Sequence, residues 1–163
     1  MTLLAIDGPA GAGKTTLAAK LEAEYSAHST VRVVHMDDLY NGWENALSNA
    51  LMEILDRITS AHLAGRDCTI KIFNWHLMKF DREEIIHPTD YLIIEGVGAA
   101  QAIVREAGAI TYWLDIDAET GLQRVLARDG SHIENEMRQW QIQQSIHFAT
   151  DQTRENCEFK ITS

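Results

Sequence analysis

Eight residues, Gly8-Pro9-Ala10-Gly11-Ala12-Gly13-Lys14-Thr15, stand between a short β-rich run (Thr2 to Ile6) and a helical pattern that begins at Lys14. They satisfy every fixed position of G-x-x-x-x-G-K-[ST], the phosphate-binding loop, with the strand before and helix after that this motif requires. The chemistry accounts for the spacing. Glycines let the backbone curl so that successive N–H groups converge on phosphate oxygens. The helix adds the positive end of its dipole. Lys14 is placed to reach the β- and γ-phosphates, and Thr15 to offer its hydroxyl to Mg2+. The dinucleotide fingerprint G-x-G-x-x-G fails, because after Gly11 and Gly13 the third glycine's place is taken by Thr16. The expected ligand is a nucleoside triphosphate on Gly8, Ala10, Gly11, Ala12, Gly13, Lys14, Thr15 and Thr16.

The rest of the chain alternates strands and helices. Leu17, Leu21 and Tyr25 form one face of a helix from Lys14 to about His28, and Val31 to Met36 reads as a second strand. Leu47, Leu51, Ile54, Leu55 and Ile58 predict a helix from Trp43 to about Leu63, ending near Gly65. Cys68 to Phe73 and the stretch around Phe80 to Ile86 suit an irregular hairpin, and Tyr91 to Ile94 a strand buried on both faces. A helix from about Ala99 to Glu106, a strand from Ile110 to Ile116, helices from Glu119 to Arg128 and from His132 to Asn156, and a last strand from Phe159 to Ile161 complete the reading. This order implies an α/β fold of three layers, a mostly parallel five-stranded sheet flanked by helices. Right-handed crossovers then place every strand's carboxyl end on one edge, where ligands bind in such folds.

That edge gives meaning to the segment VHMDDLYN, where an apolar run stops at two carboxylates, Asp37 and Asp38. Asp is common where strands stop, so a turn or helix cap is one reading. A reactive group held beside the phosphate loop is the other. Adjacent residues in an extended segment point opposite ways, so Asp38 is assigned to the Mg2+ water shell or to solvent.

Composition sets the outer limits. The 163 residues suit a single domain across 1–163, with 45% hydrophobic and 23% charged residues. A formal net charge of −10 argues against a nucleic-acid partner, whose phosphates call for Lys and Arg. A small phosphorylated ligand needs only a few local cations. Cys68 and Cys157 lack metal or redox spacing and read as reduced core thiols. No segment approaches the roughly 18 apolar residues that span a membrane. The amino terminus lacks the pattern of a secretory signal, so a cytoplasmic protein is the default.

IDGPAGAGKTT, HMDDLY, LIIEG and RVLARD, in this order and rough spacing, resemble the uridine kinase-like (uridine kinase/phosphoribulokinase) branch of P-loop kinases. The resemblance implies the P-loop NTPase fold and ATP with Mg2+ as cofactors. It implies that Asp37 is the base toward an acceptor hydroxyl and that Tyr40 contacts the acceptor, unless Tyr40 is a packing aromatic. It implies Glu95 at the metal, with Gly96 letting the chain turn near the phosphates. By the same resemblance, Arg124 and Arg128 belong to a short lid around residues 128–138, or pair with Asp117, Glu119 or Asp129. Arg154 would lie near the adenine.

The acceptor half departs from that family. The H-P-D-A-F element is replaced by NGWENALSNAL, the Tyr-Asp pair by Phe73-Asn74, and the lid is cut to RDGSHIENEM. Trp43, Phe73, Trp75 and His76 are expected around the acceptor, with an acceptor-side insertion at 66–88. Lys71, Lys79 and Arg82 would meet an anion or be solvated. The expected function is transfer of the γ-phosphate to a hydroxyl of a nucleoside or nucleoside-like substrate. A nucleoside monophosphate or other metabolite kinase, or a non-catalytic nucleotide-binding regulatory protein, is the alternative.

Overall fold

The computed structural model describes residues 1–162. Strands β1 (Thr2–Asp7), β2 (Val31–His35), β5 (Tyr91–Glu95), β6 (Ile110–Asp115) and β7 (Phe159–Thr162) form one sheet in the order β2-β5-β1-β6-β7, with every pairing parallel. The hairpin β3 (Cys68–Asn74) and β4 (Lys79–Ile86) is separate and antiparallel. Leu92, Ile93 and Ile94 of β5 are wholly buried, as expected of a strand covered on both faces.

Helix α1 (Lys14–Tyr25) covers one face. Its Leu17, Leu21 and Tyr25 pack with Leu4, Ile6, Ile93 and Leu114 of the sheet. The other face carries α2 (Asn49–Leu63), α3 (Ala102–Glu106), α4 (Ala118–Asp129) and α5 (Glu134–Asp151). There Leu3, Ala5, Leu92 and Ile94 meet Leu51, Leu55, Val104, Leu122 and Trp140. Three layers result. Cys68 and Cys157 are free and buried, and burial pushes the Cys157 thiol up to about 11.

Three helix boundaries differ from the sequence reading. Helix α2 starts at Asn49, where Ser48 Oγ caps it by accepting from Leu51 N–H at 3.4 Å, so Trp43 lies in the preceding turns. The apolar spacing of Trp43 and Leu47 reflects packing on the core from those turns. Helix α3 starts at Ala102, because residues 96–101 wrap around the end of β1. The long last helix is broken at Gln152, whose φ of 52° is left-handed, leaving α5 and a short α6 (Thr153–Asn156).

Candidate active site

Parallel pairing sets Asp7, His35, Glu95 and Asp115, the last residues of four strands, on one edge of the sheet. Asp7 is fully buried and accepts from Gly8 N–H at 2.7 Å, Gly98 N–H at 3.1 Å and Ala100 N–H at 2.9 Å. It thereby fastens the start of the phosphate loop to the loop after β5. Burial pushes its carboxyl up against the pull of these bonds and of Lys14.

The phosphate loop runs from Asp7 to α1. Its Gly11 has φ 84°, and a Cβ there would sit 2.4 Å from the Gly121 carbonyl oxygen on α4. We expect Gly11→Ala to cost about 2–4 kcal/mol, from left-handed strain plus overpacking against backbone. Thermal denaturation would then show a melting temperature lower by roughly 5–15 °C. From α5, the buried Gln144 accepts the Ala10 N–H through Oε1 at 3.1 Å, and from α4 Arg124 Nη1 donates to the Gly11 carbonyl at 3.4 Å. Lys14 is buried, its Nζ donating to the Pro9 carbonyl at 2.8 Å. Burial pulls the Lys14 pKa down, opposed by Asp7, Glu95 and Asp37.

A cavity of about 310 Å³ opens beside this loop. Ala10, Gly11, Lys14, Thr15, Glu95 and Gly96 line one end, and Asp37, Arg128 and Asp129 the middle. Tyr40, Trp43, Trp75, Val97, Ile133, Met137 and Trp140 line the other end. Such a volume is at the small end of ordinary ligand sites. Asp37 sits in the single 3-10 turn Met36–Asp38 that follows β2. Gly96 lets that turn lie close, since a Cβ there would meet Met36 Cβ at 2.5 Å. Asp37 is exposed to the cavity yet enclosed by its walls. The loss of bulk water pushes its carboxyl up, helped by Glu95 and opposed by Lys14 and Arg128.

Glu95 is buried, and its Oε1 accepts from Thr15 Oγ1 at 3.1 Å and contacts His35 Nδ1 at 2.5 Å. That contact raises the His35 pKa. The sign follows. A histidine raised in the folded state stabilises the fold fully below its ordinary pKa, and loses that contribution as pH rises through the raised value. We expect the melting temperature of wild type minus that of His35→Ala to shrink between pH 6 and pH 8. The change is small, because the His35 side chain is 46% exposed.

The structure brings Asp37, Lys14, Thr15, Glu95, Arg128, Tyr40, Trp43 and Trp75 to one cavity, with Gly11 and Ala10. Arg128 is held there by Asp129, through Nε at 2.9 Å and Nη2 at 2.7 Å. Arg124 reaches the Gly11 carbonyl without lining the cavity, and Asp38, Phe73, His76 and Arg154 do not line it either. Asp38, turned away within the tight 3-10 turn, faces His35, Glu84, Arg82 and Arg32, which replaces a place in the metal shell with a place in a surface charge cluster. Phe73 is core, packed between Trp75 and Phe80 at 4.9 and 5.2 Å, after a register shift at Ile72/Phe73 buries both residues. His76 is exposed in the hairpin turn, its N–H bound to Asn74 Oδ1. Arg154, expected near the adenine and not at the acceptor, forms a two-pronged pair with Asp115 at the end of β6, on the sheet edge that carries the loop. Lys71, Lys79 and Arg82 do not line the cavity.

Sequence reasoning missed Asp7, Trp140, Met137, Ile133 and Gln144. Asp7 carried the same signal as Glu95, an acid ending an apolar strand. Met137, Trp140 and Gln144 share the buried face of α5, where a glutamine in an apolar stripe was the clue. His35 gave no signal, because its pairing depends on β2 lying beside β5.

No protein-family model and no curated protein sequence matches the chain. Solved structures do. A possible uridine kinase from Bacillus stearothermophilus superposes with TM-score 0.72 at 19% identity, covering 98% of this chain and 88% of that one. A protein assigned as a fructose transport system kinase from Silicibacter gives TM-score 0.74 at 17% identity, with 98% and 88% covered. Shikimate kinase from Acinetobacter baumannii, in complex with shikimate, gives 0.57 at 18% identity, with 100% and 84% covered. At such identities the likeness concerns architecture, and the architecture is plain: this chain has the three-layer P-loop NTPase fold, in the arrangement shared with the possible uridine kinase.

Proposed function

We propose that the protein is a Mg2+- and ATP-dependent small-molecule kinase that transfers the γ-phosphate to a hydroxyl of a nucleoside-like alcohol. One observation carries this reading: Asp37 lines the same cavity as Lys14, Thr15 and Glu95. A protein that only binds nucleotide has no need of a carboxylate there. The kinase neighbours, one a possible uridine kinase, support it.

The residues fit the expected metal. Thr15 Oγ1 and Glu95 Oε1 are hard oxygen donors 3.1 Å apart. Mg2+ takes one or two protein oxygens beside phosphate and water. Bound there, it would neutralise charge on the phosphate oxygens. The chain's own groups do the rest. The loop N–H groups and Lys14 hold the β- and γ-phosphates. Asp37 accepts the acceptor's hydroxyl proton and orients its oxygen for in-line attack on the γ-phosphorus. The bond from that phosphorus to the bridging oxygen breaks and ADP leaves. Arg128 can turn toward the transferring group cheaply, since an exposed pair such as that with Asp129 is worth about 0–1 kcal/mol.

No helix among the described residues is long and apolar enough to cross a membrane. The test is ATP consumption over nucleosides, nucleotides, ribosides and sugars, with Asp37→Asn as the control. A phosphorylated product made by wild type and lost in the variant supports the reading. ATP consumption equal in both would defeat it.

A further inference from the structure

The walls of the acceptor end also indicate what they hold. Tyr40, Trp43, Trp75 and Trp140 form a continuous aromatic surface, with ring centroids 5.2 Å apart for Tyr40–Trp140 and Trp43–Trp75 and 6.2 Å for Trp43–Trp140. Ile133 and Met137 add apolar surface. Two of the polar groups on these walls are already used. The Tyr40 hydroxyl donates to the Val97 carbonyl at 2.5 Å, and the Trp75 indole N–H donates to the Asp37 carbonyl at 2.9 Å. Arg128 is held by Asp129 and Lys14 by the Pro9 carbonyl. One carboxylate in the middle of the cavity, that of Asp37, remains for a hydroxyl.

We infer that the acceptor is an uncharged flat-ring alcohol, recognised through its ring rather than through a second hydroxyl or an anionic group. The inference rests on the kinase reading and narrows it. An anionic acceptor would meet Asp37, Glu95 and Asp129, while the kinase reading gives both cavity cations, Lys14 and Arg128, to the donor phosphates. A polyol would bury hydroxyls without side-chain partners, each costing about tenfold or more in affinity. A ring gains instead by lying on indole and phenol surfaces, where removing one aromatic side chain typically costs about tenfold.

The experiment uses the full chain with MgATP and five probes: uridine, 2′,3′-dideoxyuridine, adenosine, ribose and uridine 5′-monophosphate. Binding is read by quenching of tryptophan fluorescence and transfer by product detection. The expected result is that dideoxyuridine binds within about threefold of uridine, while ribose and the monophosphate bind at least about thirtyfold more weakly. Trp43→Ala weakens the ring alcohols about tenfold, Trp43→Phe recovers part of the loss, and MgATP affinity stays within about twofold. Failure of every ring alcohol to bind, or dideoxyuridine binding more than about thirtyfold more weakly than uridine, overturns the inference. So does transfer to ribose or to the monophosphate, and that result leaves the kinase reading standing. The expected order of binding with no phosphoryl transfer does the reverse: the acceptor class stands and the kinase reading falls.

Discussion

Asp37→Asn lowers kcat about 10²–10⁴-fold and leaves MgATP affinity within a factor of about three. The asymmetry is the point. Asp37 faces the cavity from the turn after β2, where the proposed acceptor's hydroxyl would meet it, and among the described residues it shows no hydrogen bond to the phosphate loop. Asparagine keeps the shape and loses the base. The pH profile adds a second signature. Only ionised Asp37 accepts a proton, so the rate falls as pH falls through its pKa. Enclosure and the charge of Glu95 hold that pKa above the ordinary carboxylate range. The acid limb of kcat/KM therefore lies higher than for a solvated aspartate, and Asp37→Asn removes it. An acid limb retained in the variant would assign the base elsewhere.

Lys14→Met abolishes measurable turnover, a loss of about 10³-fold or more, and weakens ATP at least about tenfold, without lowering the melting temperature of the free protein. The first half follows from losing the cation proposed to meet the β- and γ-phosphates. The second follows from the direction of the Lys14 pKa. Burial pulls it down by more than Asp7, Glu95 and Asp37 push it up. A lysine depressed in the folded state costs the fold stability at every pH below its ordinary pKa, because burial disfavours its charged form. Methionine fills a similar volume without that cost. Calorimetric titration with ATP and thermal denaturation of both proteins check the pair of outcomes. Lost stability at unchanged ATP affinity would reverse the account of Lys14.

The glycine-loop end of the cavity was legible because its spacing is local. A phosphate loop needs glycines at positions where φ is positive, and Gly8, Gly11 and Gly13, at 142°, 84° and 96°, show why the spacing is so fixed. Asp37 and Glu95 were legible as acids ending apolar strands, once parallel order put both ends on one edge. The acceptor half was not. Trp140 and Met137 reach the cavity from α5, about a hundred residues beyond Trp43, and nothing local to either segment announces that meeting. Phe73 looked like a wall residue beside Trp75, but a register shift in the hairpin turns it into the core. Asp38 was expected to differ from Asp37, and it does, through a tight turn that sends it to the charge cluster of His35, Arg82 and Glu84.

The most direct test of the central claim is a crystal structure of the protein with Mg2+ and a non-hydrolysable ATP analogue. The account predicts the terminal phosphate on the Gly8–Thr16 loop, with an Asp37 carboxylate oxygen roughly 4–6 Å from the γ-phosphorus, the sum of a near-attack distance and a bent hydrogen bond. A triphosphate bound elsewhere, or an Asp37 carboxylate more than about 9 Å from that phosphorus and pointing out of the cavity, would contradict it.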